Sequence, residues 1–290
     1  MKVAFVVLHY CQVNVTFDCI NSLLSLKGDK DVVVVDNASP DGSGKLLNEK
    51  FYKHEIVHVI LNDSNLGFAS ANNIGYAYAK KELGANVITV LNNDTVIEDD
   101  IFLEKLTSSI YLQNYHIIAP DIINRNCEHQ NPFATKPLSY DECVRNTRKL
   151  SLLRLIYSIP IVGDIKASFS ITHKTHRKGA GEPQEMILPH GAAIIYTPLW
   201  IEKEDFAFYP GTFLYLEEEI LYYYVLDHDY KTIYSPLFKI RHLEDVSTNT
   251  ILRNKRKKAL FQIKQLKNSY NVLIGYLNAN KLEKAKLTNR

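Results

Sequence analysis

The chain has 290 residues, of which 46% are hydrophobic and 23% charged, and its net charge is +2. That is an ordinary globular composition, long enough for one large domain or for a nucleotide-binding core with a smaller companion. No apolar run reaches the ~18–20 residues of a bilayer span. The four cysteines (Cys11, Cys19, Cys127, Cys143) lack any C-x-x-C spacing, so they read as reduced thiols and not as zinc ligands or disulfides. With Met1–Tyr10 reading as a strand and not as a leader, the expectation is a cytoplasmic protein, or one peripheral on the inner face of the plasma membrane.

KVAFVVLHY (2–10) reads as a buried strand, followed by a helix with Phe17, Ile20, Leu23 and Leu24 on one face. Four valines at 32–35 form a second strand that ends in Asp36 and Asn37, after which Ser, Pro, Asp and Gly supply a turn. SNLGFASANNIGYA (64–77) places Gly67, Gly75 and small residues around Asn72 and Asn73. VITVLNNDTVIEDD (87–100) is an apolar run that stops abruptly at Asn92, Asn93 and Asp94. The β-α alternation over about 120 residues predicts a layered α/β domain. In open parallel sheets ligands bind at the carboxyl ends of strands. A carboxylate there can hold a hard divalent cation, and the cation can neutralise a diphosphate.

Regular patterning fails over roughly 121–186, which reads as an insertion with a short amphipathic helix near 148–158 and a loop near 173–184. His173 and His176 in that loop read either as metal ligands or as solvated side chains. YPGTFLYLEEEILYYYVLDH (209–228) then predicts a turn at Pro210–Gly211 and a helix that Thr212 caps or leads into, with Glu217, Glu218 and Glu219 at its start. Three carboxylates suit a helix N-terminus. A carboxylate at the rim of an apolar wall also has its pKa raised, which suits a general base. Residues 231–247 predict two short strands, leading into Arg241, His242, Glu244 and Asp245. A neutral imidazole at 242 could share a cation with Asp94.

From Ile251 onward there are eleven basic residues against one acidic, so residues 1–250 carry −8. Leu260, Phe261, Ile263, Leu266, Tyr270, Leu273, Ile274 and Leu277 make this segment amphipathic. Such a helix rests on an anionic membrane surface through residues 251–290, packs on the core with a solvated basic face, or does both. Nucleic acid is not expected, because the charge is confined to one tail and no nucleic-acid-binding motif accompanies it.

Seven blocks in register resemble the family 2 inverting glycosyltransferases of A-type fold, in particular the bacterial rhamnosyltransferase-like branch of polysaccharide biosynthesis. They are LHY with T..CI.SLL (8–24), VVDNASPDGS (34–43), NLGFASANNIG (65–75), LNND (91–94), LPHGAAIIYTP (188–198), TFLYLEEEIL (212–221) and HLEDVS (242–247). The resemblance implies a mostly parallel central sheet flanked by helices, with a catalytic domain over 1–250 and a basic amphipathic helical extension over 251–290. Within that domain, 1–120 would be the nucleotide-binding half and 121–250 the acceptor-binding half. It implies transfer from a UDP- or dTDP-sugar to a saccharide acceptor, one carried on polyprenyl diphosphate, in capsule, O-antigen or cell-wall synthesis.

The same resemblance assigns residues. Asp36 would hold the nucleotide base, with Tyr10, Asn65, Gly67, Phe68, Asn72 and Asn93 lining the nucleotide sugar and Gly191 at the meeting of donor and acceptor. Asp94 and His242 would hold Mn2+ or Mg2+, although Asn92 stands where the family's metal motif usually has its first carboxylate. Glu218 would be the catalytic base and Glu217 its neighbour.

Other classes lack their signatures. LHYCQVNVT (8–16) has no glycine, which removes the dinucleotide fingerprint, and no P-loop sequence occurs. The remaining alternative is a catalytically silent nucleotide-sugar-binding module.

Overall fold

In the computed structural model, residues 1–159, 181–244 and 254–280 are described. The first strand, β1 (Val3–His9), pairs in parallel with β2 (Lys30–Asp36) and with β4 (Val87–Asn92), while β3 (Val57–Leu61) lies outside β2. Alternate residues face opposite ways along a strand. Val3, Phe5 and Val7 accordingly enter one core, and Ala4 and Val6 the other. Burial on both faces is why these strands read as unbroken apolar runs.

Helices α1 (Val13–Ser25), α2 (Ser43–Phe51) and α3 (Phe68–Lys81) supply the crossovers. α3 lies so near the sheet that a Cβ on Gly75 would come within 2.4 Å of Val6 Cγ1. The register His9↔Asp36 and Leu8↔Asn92 brings three strand ends together at one edge of the sheet.

Beyond β4 the sheet becomes mixed. β8 (Ala193–Tyr196) runs antiparallel to both β4 and β6 (Ile117–Asn124), and β9 (Thr232–His242) runs parallel to β6. Short β5 (Thr95–Val96) and β7 (Gln184–Glu185) pair antiparallel with β9 and complete nine strands among the described residues. Where two short strands were expected over 231–247, β9 is one strand with a bulge. Ser235 pairs with Pro120 and Lys239 with Asp121, leaving 236–238 unmatched. Pro236 has no N–H for the ladder, so an irregularity falls there naturally.

Short helices α4 (Phe102–Thr107), α5 (Tyr111–Asn114) and α7 (Pro198–Lys203) cover the sheet. Three others, α6 (Tyr140–Ser158), α8 (Glu217–Asp227) and α9 (Lys255–Asn280), build a satellite core of Cys143, Leu150, Ile220, Tyr223, Ile263, Tyr270, Leu273, Tyr276 and Leu277. α6 begins eight residues before the expected helix near 148–158. Ser139 and Glu142 form a reciprocal capping box, and that box sets the start ahead of any apolar periodicity.

α9 uses its apolar face for packing within the protein, as one of the readings of the C-terminal segment anticipated. Residues 251–253 and 281–290 of that segment lie outside the described residues. So do His173, His176 and 173–180 of the expected loop, and so does Asp245. No helix among the described residues is long and apolar enough to cross a membrane.

Candidate active site

A cavity of about 840 Å³ opens over the gathered strand ends. Of the expected residues, Tyr10, Asn65, Gly67, Phe68, Asn93, Asp94, Gly191, Glu217 and Glu218 line it. Asp36, Asn72 and His242 do not.

Asp36 sits beside the cavity and is buried, its carboxylate accepting from Ser39 N at 3.2 and 3.3 Å and from Ser39 Oγ at 2.5 Å. Asn72 is fully buried and donates its Nδ2 to Phe68 O at 3.0 Å, which ties down the first turn of α3. Asn72 Oδ1 is buried without a hydrogen-bond partner, and the residue does not line the cavity.

Asn37, one residue beyond β2, takes a larger part than its sequence position suggests. It donates from Nδ2 to Asn65 Oδ1 at 3.0 Å and Gly67 O at 3.2 Å, and it accepts from Leu66 N at 2.9 Å. The loop 65–67 is thus fastened to the end of β2. Gly67 has φ of 82°, and a Cβ there would lie 2.4 Å from Phe213 O, which accepts from Phe68 N at 2.7 Å. Only glycine allows that approach with that backbone. It couples the 65–68 loop to the 213–216 loop across the cavity.

A buried chain of polar groups anchors Asn93. Its Nδ2 donates to Thr16 Oγ1 at 2.9 Å, and Thr16 Oγ1 lies 2.7 Å from His9 Nδ1. His9 Nε2 lies 2.8 Å from Ser43 Oγ, which donates to Asp41 Oδ1 at 2.5 Å. These partners are all satisfied when the neutral imidazole carries its proton on Nε2 and accepts from Thr16 at Nδ1. Burial pushes His9 below its ordinary pKa, against the pull of Asp36 and Asp41, and so favours that neutral form.

Asp94 lines the cavity, and His242, at the end of β9, stands against it without reaching the cavity surface. Nε2 of His242 is 3.2 Å from Asp94 Oδ1, yet that oxygen is buried without a hydrogen-bond partner. Nδ1 of His242 lies 2.7 Å from Gln130 Oε1, and Gln130 donates its Nε2 to Glu244 Oε1 at 2.5 Å. The Gln130 carbonyl thereby holds the ring proton on Nδ1, leaving the Nε2 lone pair aimed at a carboxylate lone pair. Two such acceptors face each other stably only across a proton or a cation. The pair fits a hard divalent cation with two protein ligands, the remaining positions going to water and phosphate oxygens. No group of three metal-ligating His, Cys, Asp or Glu side chains occurs among the described residues.

The opposite wall is the start of α8. Tyr215 (φ 79°) and Leu216 (φ 65°) are consecutive left-handed residues without being glycine, a conformation costing about 1–2 kcal/mol each. This kink, and not a cap by Thr212, starts the helix and projects three carboxylates in its first turn.

Glu218 Oε1 accepts from Gly191 N at 3.0 Å, and a Cβ on Gly191 would lie 2.4 Å from that oxygen. Glu219, which also lines the cavity, accepts at Oε2 from Leu138 N at 3.0 Å. Glu217 is buried with Oε1 lacking a hydrogen-bond partner. Burial raises all three pKa values: Glu217 to about 8, with Glu218's charge adding, Glu219 to about 7, and Glu218 upward against the Gly191 amide. Both members of the adjacent pair have hydrogen-bond support for the anion, Glu218 from the Gly191 amide and Glu217 from the Thr212 side chain and the Tyr215 backbone.

The raised pKa of Glu217 has a consequence for stability. The folded state binds its proton more tightly than the unfolded chain does. The resulting stabilisation is present below the ordinary carboxylate pKa and is lost as pH rises through about 8. Glu217→Gln is expected to raise stability at pH 8 by about 4 kcal/mol, with little change at pH 4. Thermal melts of both proteins across that range check this.

α9 closes the cavity. Lys258, Phe261, Gln262 and Leu266 line it, and Phe261 meets Phe213 edge-on at 6.4 Å.

A mixed sheet with a parallel leading half and flanking helices is the architecture of the A-type fold of nucleotide-sugar transferases. Residues 6–162 match the model of Glycosyl transferase family 2, and the chain belongs to that family. Over 101 residues it is 36% identical to the dTDP-rhamnosyl transferase RfbF of Shigella flexneri, covering 35% of this chain and 32% of that protein. The chain thus matches about a third of that relative's length. The crystal structure of S. aureus TarS 1-349 resembles it with a TM-score of 0.52 at 13% identity, over 100% of this chain and 74% of that one, a likeness of fold.

Proposed function

We propose that this protein transfers a sugar from a nucleoside-diphosphate donor to a saccharide hydroxyl, with inversion at the anomeric carbon. The observation that carries this reading is that Glu218 and Asp94 line one cavity, with His242 Nε2 3.2 Å from Asp94 Oδ1. The donor half is assigned to residues 1–120 and the acceptor half to 121–250. Asn37, Asn65 and Gly67 shape the donor side, and Gly191 lies between the two. The name of the S. flexneri relative supports dTDP-rhamnose as donor, and the family resemblance supports an acceptor carried on polyprenyl diphosphate.

Glu218 receives the acceptor's hydroxyl proton at its carboxylate as the acceptor oxygen bonds to the anomeric carbon. The bond from that carbon to the diphosphate oxygen breaks with its electron pair leaving on the diphosphate. Asp94 and His242 would hold Mn2+ or Mg2+, which supplies charge neutralisation for the departing diphosphate. A single displacement needs one base, so Glu219, committed to Leu138 N, has no chemical part.

Nucleoside-diphosphate release from UDP-, dTDP- and GDP-sugars, with a saccharide acceptor and Mn2+ or EDTA, tests this reading. Metal-dependent release from one donor is expected. Nucleotide binding without turnover under every condition would make the chain a silent binding module.

Gly191→Ala gives a further check. The added methyl displaces the Glu218 carboxylate, so turnover is expected to fall at least about tenfold with the fold intact. Circular dichroism alongside kcat separates a displaced base from an unfolded chain.

A further inference from the structure

α6 presents a row of apolar side chains to solvent. Leu152 is 60% exposed, Leu155 67%, and Ile159, just past the last turn, 54%. They follow Arg145, Arg148 and Lys149 at three- and four-residue steps, so the six share one stripe. The opposite face carries Cys143 and Leu150 into the satellite core. The first turn of α6 carries Asp141 and Glu142, the latter 3.9 Å from Arg145, and from Cys143 to Ile159 there are four basic residues and no acidic one. A helix serving only the core would place polar side chains where Leu152 and Leu155 stand.

We propose that this stripe of α6 is a docking face for an anionic phospholipid bilayer, with the leucines entering the interface and Arg145, Arg148 and Lys149 meeting the headgroups. Cationic and apolar side chains on one exposed helical stripe are what binding in the plane of a charged interface requires. The sequence pattern alone points to residues 251–290 for this role. α9 instead spends its apolar residues Ile263, Tyr270, Leu273, Tyr276 and Leu277 on packing. The two helices are joined, with Asn146 Nδ2 donating to Tyr270 Oη at 3.0 Å, and α9 lines the cavity. A bilayer under α6 therefore lies one helix away from the cavity wall. Deleting α9 would remove core residues, so it is no test of lipid contact.

The test is sedimentation of the full chain with vesicles of phosphatidylcholine, with or without phosphatidylglycerol, at low salt. Wild type is expected to pellet with the anionic vesicles alone. Leu152→Glu combined with Leu155→Glu is expected to weaken pelleting at least about tenfold, at unchanged circular dichroism and melting temperature. Arg148→Glu with Lys149→Glu is expected to remove the salt-sensitive part of binding.

Equal pelleting of the leucine variant and wild type would overturn the proposal, as would failure of wild type to pellet with either vesicle. A wild-type dimer that the leucine substitutions convert to monomer would also overturn it, by assigning the face to a second copy of the chain. Vesicle binding is read without nucleotide sugar, so its failure leaves glycosyl transfer untouched, and failure of transfer leaves it untouched in turn.

Discussion

Glu218→Gln is expected to lower kcat for sugar transfer by about 10²–10⁴, with the donor KM changed little. The amide keeps the side chain's shape and its acceptor for Gly191 N, so the cavity wall stays in place. What it loses is the ability to take a proton. Wild-type turnover is expected to rise with pH along a limb set by Glu218, displaced above the ordinary carboxylate range because burial disfavours the anion. Residual activity of the variant should lack that limb. Glu219→Gln should cost less than about threefold, since its carboxylate serves Leu138 N. A full pH–rate profile of all three proteins separates the roles. Loss of the limb in Glu219→Gln and its persistence in Glu218→Gln would move the base by one position.

The second large effect is expected at the Asp94–His242 pair. Asp94 carries the only charge in the Asn-Asn-Asp end of β4, so Asp94→Asn should lower turnover about 10²-fold or more at saturating Mn2+. Gln130 is a positioning residue that acts through His242. Gln130→Ala releases the proton position that the amide imposes on the ring, and it should weaken Mn2+ affinity about 10–100-fold with kcat recovered at high metal. Manganese binding followed by electron paramagnetic resonance reads this without turnover. Unchanged Mn2+ affinity in both variants would remove the cation from Asp94 and His242.

The parts of this site that are legible in sequence are those where local chemistry interrupts a strong pattern. β2 and β4 are buried on both faces, so their apolar runs stop sharply at Asp36–Asn37 and at Asn92–Asp94, and the stops mark the ligand edge of the sheet. Three glutamates after an apolar stretch likewise mark the start of α8.

What escapes a sequence reading depends on tertiary partners. Nothing in GAAIIYTP states that β8 runs antiparallel between β4 and β6, because four apolar residues carry no direction. Asp36 and Asn37 are adjacent, but Ser39 folds back onto the first and leaves the second to bind the 65–67 loop. The bond from Asn72 to Phe68 O is likewise set by the turn of the helix. The contribution of Lys258, Phe261, Gln262 and Leu266 to the cavity follows from how α9 docks, and the amphipathic pattern of α9 does not encode that. The start of α6 is written in Ser139 and Glu142, a signal of capping and not of periodicity.

The measurement that bears most directly on a one-base displacement is the anomeric configuration of the first-formed product, followed by proton NMR with a configurationally defined nucleotide sugar. Inversion relative to the donor is the predicted result. Retention would require a second displacement or a covalent sugar–enzyme intermediate, and would contradict the role of Glu218 as the base of a single displacement.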